Sequence, residues 1–312
     1  MIDKLAIILP CYNEEEVLPL TLQRLQVLIE ELRAIEVQTQ LVFVDDGSKD
    51  ATWQIIENYA VQYPYVSGVK MAHNQGHQRC LWAGMSETVD KFDAIVTIDA
   101  DLQDDEHTIV EMMMQYREGK DIVYGIRKRR ETDSFFKRFT AKMFYKIIRA
   151  ADKEMLDNHA DFRLMSQRAV RALLQYPERN IYLRGLVRTL GFSQGFVYYD
   201  RTPRTAGDTK YPLSKMAHLA VDGITSFSTA PLRFIAYLGI FISIMAFLGI
   251  VYVIIEYILD STMEWWAITL SSLWLLGGVI LTTIGVMGLY VGRIYEEVKR
   301  RPHYILDRSL NL

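Results

Sequence analysis

The sequence predicts an α/β domain built on a mostly parallel sheet, followed by two membrane-spanning helices. Three observations carry this. Short runs rich in β-branched residues alternate with amphipathic helical segments through the first 125 residues, the pattern of a parallel sheet with helical crossovers. Each run ends in polar residues, and in such a sheet those endings meet along one edge, where ligands bind. Two later stretches, Phe234–Ile255 and Trp265–Gly292, hold no charged residue over 22 and 28 positions, each long enough to cross a hydrocarbon core of about 30 Å.

In chain order, Leu5–Pro10 is the first strand and runs into Cys11-Tyr12-Asn13-Glu14-Glu15-Glu16. Leu18, Leu22, Leu25, Leu28, Ile29 and Leu32 recur at helical spacing over 17–36. Leu41–Val44 is a second strand ending in Asp45-Asp46-Gly47-Ser48, and Asp50 stands where the next helix, through Tyr59, needs a cap. Val66–Met71 is a third, followed by His73-Asn74-Gln75-Gly76-His77-Gln78-Arg79 and a helix to about Val89. Ala94–Ile98 is the fourth and stops abruptly at Asp99-Ala100-Asp101-Leu102-Gln103. A helix over Thr108–Glu118 and a strand over Asp121–Tyr124 complete the alternation.

The endings suggest chemistry. Two acids one residue apart on extended backbone can grip a hard divalent cation, Mg²⁺ or Mn²⁺, that keeps open positions for substrate phosphates. A lone Asp-x-Asp is better explained by a solvated acidic turn, but four strands that all end in polar residues read as one site. Tyr12 suits stacking on a nucleotide base, or a partly buried loop. Asp45 and Asp46 suit hydrogen bonds from a base or ribose, or turn formation. Gly76 allows backbone to pass close to a ligand, and Arg79 is a candidate partner for a diphosphate. His73 and His77 lack metal-ligand spacing and read as loop residues or hydrogen-bond donors. Cys11 and Cys80 are the only cysteines, too few for a disulfide framework and consistent with a reducing compartment.

The remaining sequence points to a membrane. Between Arg127 and Arg149 nine Lys/Arg face only Glu131 and Asp133, and Phe135, Phe139, Met143 and Ile147 recur every four residues. A basic amphipathic helix over about 134–150 suits an anionic lipid surface; nucleic acid is the rival partner, and the apolar stretches downstream favour lipid. Asp157-Asn158-His159-Ala160-Asp161-Phe162-Arg163 offers a carboxylate that could reach a reacting centre. Tyr182–Gly185 and Phe196–Tyr199 lead to Arg201-Thr202-Pro203-Arg204-Thr205-Ala206-Gly207-Asp208-Thr209-Lys210-Tyr211, a cationic loop suited to phosphate. The expected organisation is a catalytic domain over 1–210, an interfacial helix over 211–232, a transmembrane hairpin over 233–292 and a tail over 293–312. Arg233, Arg293, Lys299, Arg300 and Arg301 flank the hairpin, so both termini and the domain are expected in the cytoplasm. Gly277, Gly278, Gly285 and Gly288 suit close helix packing, including between subunits.

With these pieces in hand, the chain resembles family-2 glycosyltransferases of GT-A fold, and more narrowly bacterial polyprenyl-phosphate glycosyltransferases, relatives of dolichyl-phosphate mannose synthase. The resemblance rests on Pro10–Glu15, Val44–Ser48, Asn74–Gln78, Asp99–Gln103, Asp161–Leu164, Arg204–Tyr211 and Ser226-Phe227-Ser228 before Pro231-Leu232-Arg233. Thr209 departs mildly from the acid-then-Ser usual before that Lys-Tyr and keeps the hydroxyl. The resemblance implies that Pro10, Tyr12, Asn13, Glu14, Asp45, Asp46, Gly76, Arg79, Asp99, Ala100, Asp101 and Gln103 bind a nucleotide sugar. Among them Asp99, Asp101 and Gln103 would hold Mg²⁺ or Mn²⁺. It further implies that Arg127, Arg130, Ser134, Arg138, Arg163, Arg201, Arg204 and Lys210 hold the phosphate of a polyprenyl acceptor. Asp161, then Asp157, would stand nearest the acceptor as base or positioning group, with Asp101 also in the catalytic set. The expected reaction is inverting transfer of a hexose, glucose from UDP-glucose, to undecaprenyl phosphate by an integral membrane homo-oligomer. Mannose or formamido-arabinose as the sugar, and a membrane-anchored nucleotide- or lipid-binding regulator, are the alternatives. A processive polysaccharide synthase fits less well, with only two spans and no Gln-x-x-Arg-Trp.

Overall fold

The computed structural model describes residues 2–101, 103–128, 159–179, 181–200 and 265–312, with isolated positions between 235 and 255. These fall into two compact units: one holds the sheet and takes in Arg301–Leu312, the other includes Pro212–Arg300.

The sheet has eight strands: β1 (Asp3–Cys11), β2 (Val37–Asp45), β3 (Val66–Met71), β4 (Ala94–Thr97), β5 (Ile122–Arg127), β6 (His159–Ser166), β7 (Gln194–Tyr199) and β8 (Leu306–Leu310). Their order is β7-β5-β6-β4-β1-β2-β3-β8. β1 pairs in parallel with β2 and β4, β2 with β3, and β5 with β7. β6 lies antiparallel between β4 and β5, and β8 runs antiparallel along β3. The expected alternation is present; the two reversed strands, and β7 at the opposite edge, are not among the strands read from sequence.

Both faces of the sheet are covered, which is why its strands read as unbroken apolar runs. Along β1, Leu5, Ile7 and Leu9 enter a core that includes Leu18, Leu25 and Leu32 of α1 (Leu18–Ala34), with α2 (Thr52–Gln62) and α4 (Thr108–Arg117). Ala6 and Ile8 point the other way, into a core with α3 (His77–Thr88), α5 (Gln167–Leu174) and α6 (Leu183–Thr189). α3 packs especially close: a Cβ on Gly84 would stand 2.6 Å from Ile8 Cγ2 and 2.9 Å from Val44 Cγ2. That contact fixes the height of the first turn of α3 over the strand ends.

The last residues form no free tail. Ala72 N–H donates to Ile305 O at 2.9 Å, and β8 then closes the edge of β3. Asn311 Nδ2 donates to Ala60 O and Val66 O at 2.6 and 3.1 Å, while Ser67 Oγ donates to Asn311 O at 2.8 Å.

In the second unit, α7 (Trp265–Val298) is a 34-residue helix, about 51 Å long at 1.5 Å per residue. Its segment Leu275–Val298 has a mean hydropathy of 1.9 and no part of it is buried. It is the one helix among the described residues long and apolar enough to cross a membrane. It runs six residues past the expected end at Gly292. The first expected span, 234–255, lies largely outside the described residues; the positions described there are helical. The expected basic helix over 134–150, the interfacial helix and the 201–211 loop also lie outside them.

Candidate active site

The carboxyl ends of β1 to β4 meet the start of β6 and the first turn of α3. Cys11 and Asp45 close β1 and β2 in register, Pro10 opposite Val44, and Asp46 N–H donates to Cys11 O at 2.9 Å. Beyond them two loops are laced together. Asn13, at φ 53°, donates its N–H to Ser48 Oγ and accepts from Lys49 N–H, both at 2.9 Å, while Glu14 N–H donates to Thr52 Oγ1 at 2.9 Å. The Asn13 side chain is thus spent on shaping the loop. Tyr12 beside it is about one-third exposed, at 36%.

The two adjacent aspartates divide their tasks. Asp46 accepts from Gln75 N–H at 2.7 Å and Gly76 N–H at 2.9 Å with its two oxygens, so it organises the loop into α3, the loop-shaping alternative of the two sequence readings. That loop lies directly on Gly47 (φ 66°), where a Cβ would come within 2.7 Å of the His73 carbonyl carbon. Asp45 accepts from Ser48 N–H through Oδ1 at 3.1 Å. Its Oδ2 is buried with no hydrogen-bond partner among the described residues, a costly state for a polar atom. Burial pushes the carboxyls of both Asp45 and Asp46 above the usual range. Gly76 (φ 92°) hands the chain into α3, and Arg79 Nη1 donates to Gln75 Oε1 at 2.9 Å.

Because β6 runs against β4 with Thr97 opposite Arg163, two residues onward along β4 and two residues back along β6 bring Asp99 level with Asp161. His77, the first residue of α3, stands between them: Nε2 is 3.5 Å from Asp99 Oδ1 and 3.6 Å from Asp161 Oδ2. Asp161 also receives Arg163 Nη2 at 2.7 Å, Gln78 Nε2 at 3.1 Å, and Arg184 through Nη2 at 3.1 Å and Nε at 3.3 Å. Burial opposes its charge, yet His77 and the two guanidinium groups hold its carboxyl well below the usual range. Asp99 moves the other way: burial first, then the nearby Asp161, raises its carboxyl, with His77 countering. Burial opposes a charge on His77, but its two carboxylate neighbours outweigh that and raise its pKa.

Several expected residues take other tasks. Arg163 is 1% exposed. Its guanidinium contacts Asp161 and donates to Leu183 O at 3.3 Å, so a buried charge is paired internally rather than offered to an acceptor phosphate. Arg127 forks onto Asp104 at 2.9–3.2 Å and donates to Tyr199 Oη at 3.2 Å, bracing the segment after Asp101. Ala100 is buried, and its carbonyl accepts from Thr21 Oγ1 at 2.8 Å. Gln103 N–H donates to Asp101 Oδ1 at 3.2 Å. Asp157, Arg130, Ser134, Arg138, Arg201, Arg204 and Lys210 lie outside the described residues. Arg184 and the bridging place of His77 were not foreseen. Gln78, in the expected Asn-Gln-Gly-His-Gln motif, also accepts from Leu183 N–H at 3.0 Å and so ties α3 to α6.

Among the described residues no three His, Cys, Asp or Glu side chains form a metal cage. Asp99 and Asp101 with the Gln103 amide are nevertheless an oxygen donor set that fits Mg²⁺ or Mn²⁺, ions held by one or two carboxylates with phosphates and water completing the shell.

Sequence comparison identifies the relatives of the chain. The model of glycosyl transferase family 2 matches residues 6–174, from the first strand through α5. The chain is 45% identical to the uncharacterized glycosyltransferase YkoT of Bacillus subtilis (strain 168), over 98% of this chain and 92% of that one. It is 38% identical to the prophage bactoprenol glucosyl transferase homolog of Escherichia coli (strain K12), over 98% and 99%. It is 39% identical to the bactoprenol glucosyl transferase of Shigella phage SfX, over 97% and 98%. Identity of this order along nearly the whole of both chains means that the protein belongs to glycosyl transferase family 2.

Proposed function

We propose that the protein transfers a hexose, glucose from UDP-glucose, to the phosphate of undecaprenyl phosphate at the cytoplasmic face of a membrane, with inversion at the anomeric carbon. The observation that carries this is the near full-length identity, α7 included, to proteins named bactoprenol glucosyl transferase.

The site supplies matching parts. Asp45 Oδ2 suits an N–H of the base or a ribose hydroxyl, and Tyr12 a base face. Asp99, Asp101 and Gln103 would hold Mg²⁺ or Mn²⁺, which when bound neutralises charge on the leaving nucleoside diphosphate. The acceptor needs little help to become a nucleophile: a phosphate monoester has its second pKa near about 6 and is largely dianionic at neutral pH. Asp161, ionised and held by two guanidinium groups, is a poor proton acceptor. Its task is to position those groups and His77, since orientation supplies much of such a barrier reduction. Arg130, Ser134, Arg138, Arg201, Arg204 and Lys210 are proposed for the acceptor phosphate, and Asp157 as a base or positioning group beside it.

Strand β8 supports the two-span topology by parity. It follows α7 yet pairs with β3, which precedes α7, and one sheet cannot have strands on both sides of a membrane. If α7 crosses, the chain crosses an odd number of times between β7 and α7, and 234–255 is the apolar stretch available. The basic flanks then support a cytoplasmic domain. Gly277, Gly278, Gly285 and Gly288 have no neighbour within 4 Å of an added Cβ, which suits close packing against a second copy.

The test uses purified protein in detergent with Mn²⁺, undecaprenyl phosphate and a panel of radiolabelled nucleotide sugars. Label is followed into the organic phase, with Asp99→Ala/Asp101→Ala as control. Label from UDP-glucose alone, absent in the control, supports the whole reading; label from another donor reassigns the sugar to mannose or formamido-arabinose. No lipid label from any donor, in protein that binds UDP, overturns the acceptor assignment in favour of a regulator.

A further inference from the structure

Asp161 is over-supplied with cations. Arg163 and Arg184 both contact it, and one carboxylate neutralises only one guanidinium. Their surroundings tell them apart. The Arg163 side chain is 2% exposed and its contacts run to Asp161 and to Leu183 O. Such a buried cation requires its own counter-charge, and Asp161 supplies it.

Arg184 is the surplus. It stands at the start of α6, its side chain is 41% exposed, and it meets Asp161 sideways through Nε and Nη2. That grip fixes the plane of the guanidinium while leaving Nη1 with no hydrogen-bond partner among the described residues. The held carboxylate is itself immobile: Arg163, Gln78 and Thr97, whose Oγ1 donates to the Asp161 carbonyl, hold residue 161 on three sides. The side chain therefore loses its rotamer freedom on folding rather than on binding, which is how a planar five-donor group is prepared for an anion. Its position is informative as well: His77 Nε2 lies 3.6 Å from the Asp161 oxygen that Arg184 Nη2 grips and 3.5 Å from Asp99 Oδ1, so the guanidinium borders the end of β4 proposed for the donor's diphosphate.

We propose that Arg184 binds a phosphate oxygen of the reacting substrates, with Asp161 as the post that aims it. This rests on the glycosyl-transfer reading above. The shared chemistry is a phosphate oxygen, from the donor's diphosphate or from the polyprenyl phosphate.

Full-length Arg184→Gln protein in detergent tests it, compared with wild type for melting temperature, UDP affinity by calorimetric titration, kcat, and KM for both substrates. Arg184→Gln is expected to lower kcat/KM by about a hundredfold or more, as loss of one transition-state donor does, with little change in melting temperature. A weaker UDP affinity with unchanged lipid KM assigns the diphosphate; a raised lipid KM with unchanged UDP affinity assigns the acceptor. Kinetic constants within about twofold of wild type overturn the proposal while leaving the glycosyl-transfer reading intact.

Where Arg184→Gln lowers the melting temperature by more than about 5 °C, Arg184→Lys decides. It keeps a cation beside Asp161 but cannot form the two-nitrogen fork and reach outward as well. A purely structural role requires wild-type kinetics in Arg184→Lys and is then established over this proposal; a tenfold or larger loss of kcat/KM at wild-type melting temperature supports it. Wild-type protein that labels no lipid removes the parent reading, and this inference with it.

Discussion

Strand β6 touches a buried aspartate at each end, and the two differ in a way that separates holding a fold from preparing a reaction. At its far end Asp121 accepts from Ser166 Oγ at 2.9 Å, Ser193 Oγ at 2.8 Å and the Arg168 guanidinium. Donors and charge balance there: one carboxylate, one cation, two hydroxyls. Arg168 chiefly, then the two serines, draws the Asp121 carboxyl down to about 2. At the near end Asp161 has two arginines, an amide and an imidazole, and shares that imidazole with Asp99. Crowding two carboxylates, two guanidinium groups and an imidazole into one place, with one carboxylate holding both arginines, is what folding alone avoids. Uneven sharing of charge, rather than burial of charge, marks the site.

The comparison can be broken most severely at Arg163. Arg163→Met leaves Asp161 buried without its closest partner, and is expected to cost about 3–5 kcal/mol of stability, read as a large drop in melting temperature. Next in size, Asp99→Asn removes the like-charge neighbour and an oxygen proposed for the metal. Lipid-linked product formation should fall about a hundredfold or more, since an ion's charge stabilisation is worth several kcal/mol, while melting temperature holds or rises. Asp121→Asn should do the reverse: a loss of about 1–2 kcal/mol for bonds to a charged acceptor, with kcat and both KM values unchanged.

The smallest effect sharpens the contrast by pH. Asp121 titrates near about 2 in the folded protein against an ordinary 3.8. Its contribution is therefore complete above about pH 4 and is lost as pH falls from there towards 2. Urea midpoints of wild type and Asp121→Asn should differ at pH 6 and converge over that acid window. A constant gap down to pH 2 would show that the carboxylate charge does not hold this end of β6.

The parallel half of the fold was legible because each strand there is an unbroken apolar run closed by polar residues, and the predicted β3 bounds match those observed. β6 was not, since Asp161 and Arg163 interrupt its apolar pattern, and only their mutual pairing makes their burial tolerable. β8 escaped because Asp307, Arg308 and Ser309 in its centre are exposed; a wet edge strand carries little periodic signal in five residues. In the site, the polar strand endings read as one place and Asp161 as a carboxylate able to reach it, and Asp99 and Asp161 do meet about His77. Motif spacing could not decide that Asp46 would turn inward to its own backbone, nor announce that Arg184, 23 residues from Asp161 in sequence, would arrive beside it. Those outcomes depend on strand order, which no local pattern encodes.

The late strand also sets an order in time. β8 leaves the ribosome after α7, so the catalytic sheet stays one strand short, with the edge of β3 open, until the apolar helix has been synthesised. Completion of the enzyme is thereby tied to the fate of its most hydrophobic segment. A chain stalled or cleaved before residue 306 would carry the whole Asp99–Asp161 cluster beneath an unpaired edge, a template for association with other strands. Quality control of this protein would then recognise an incomplete sheet rather than a missing active site.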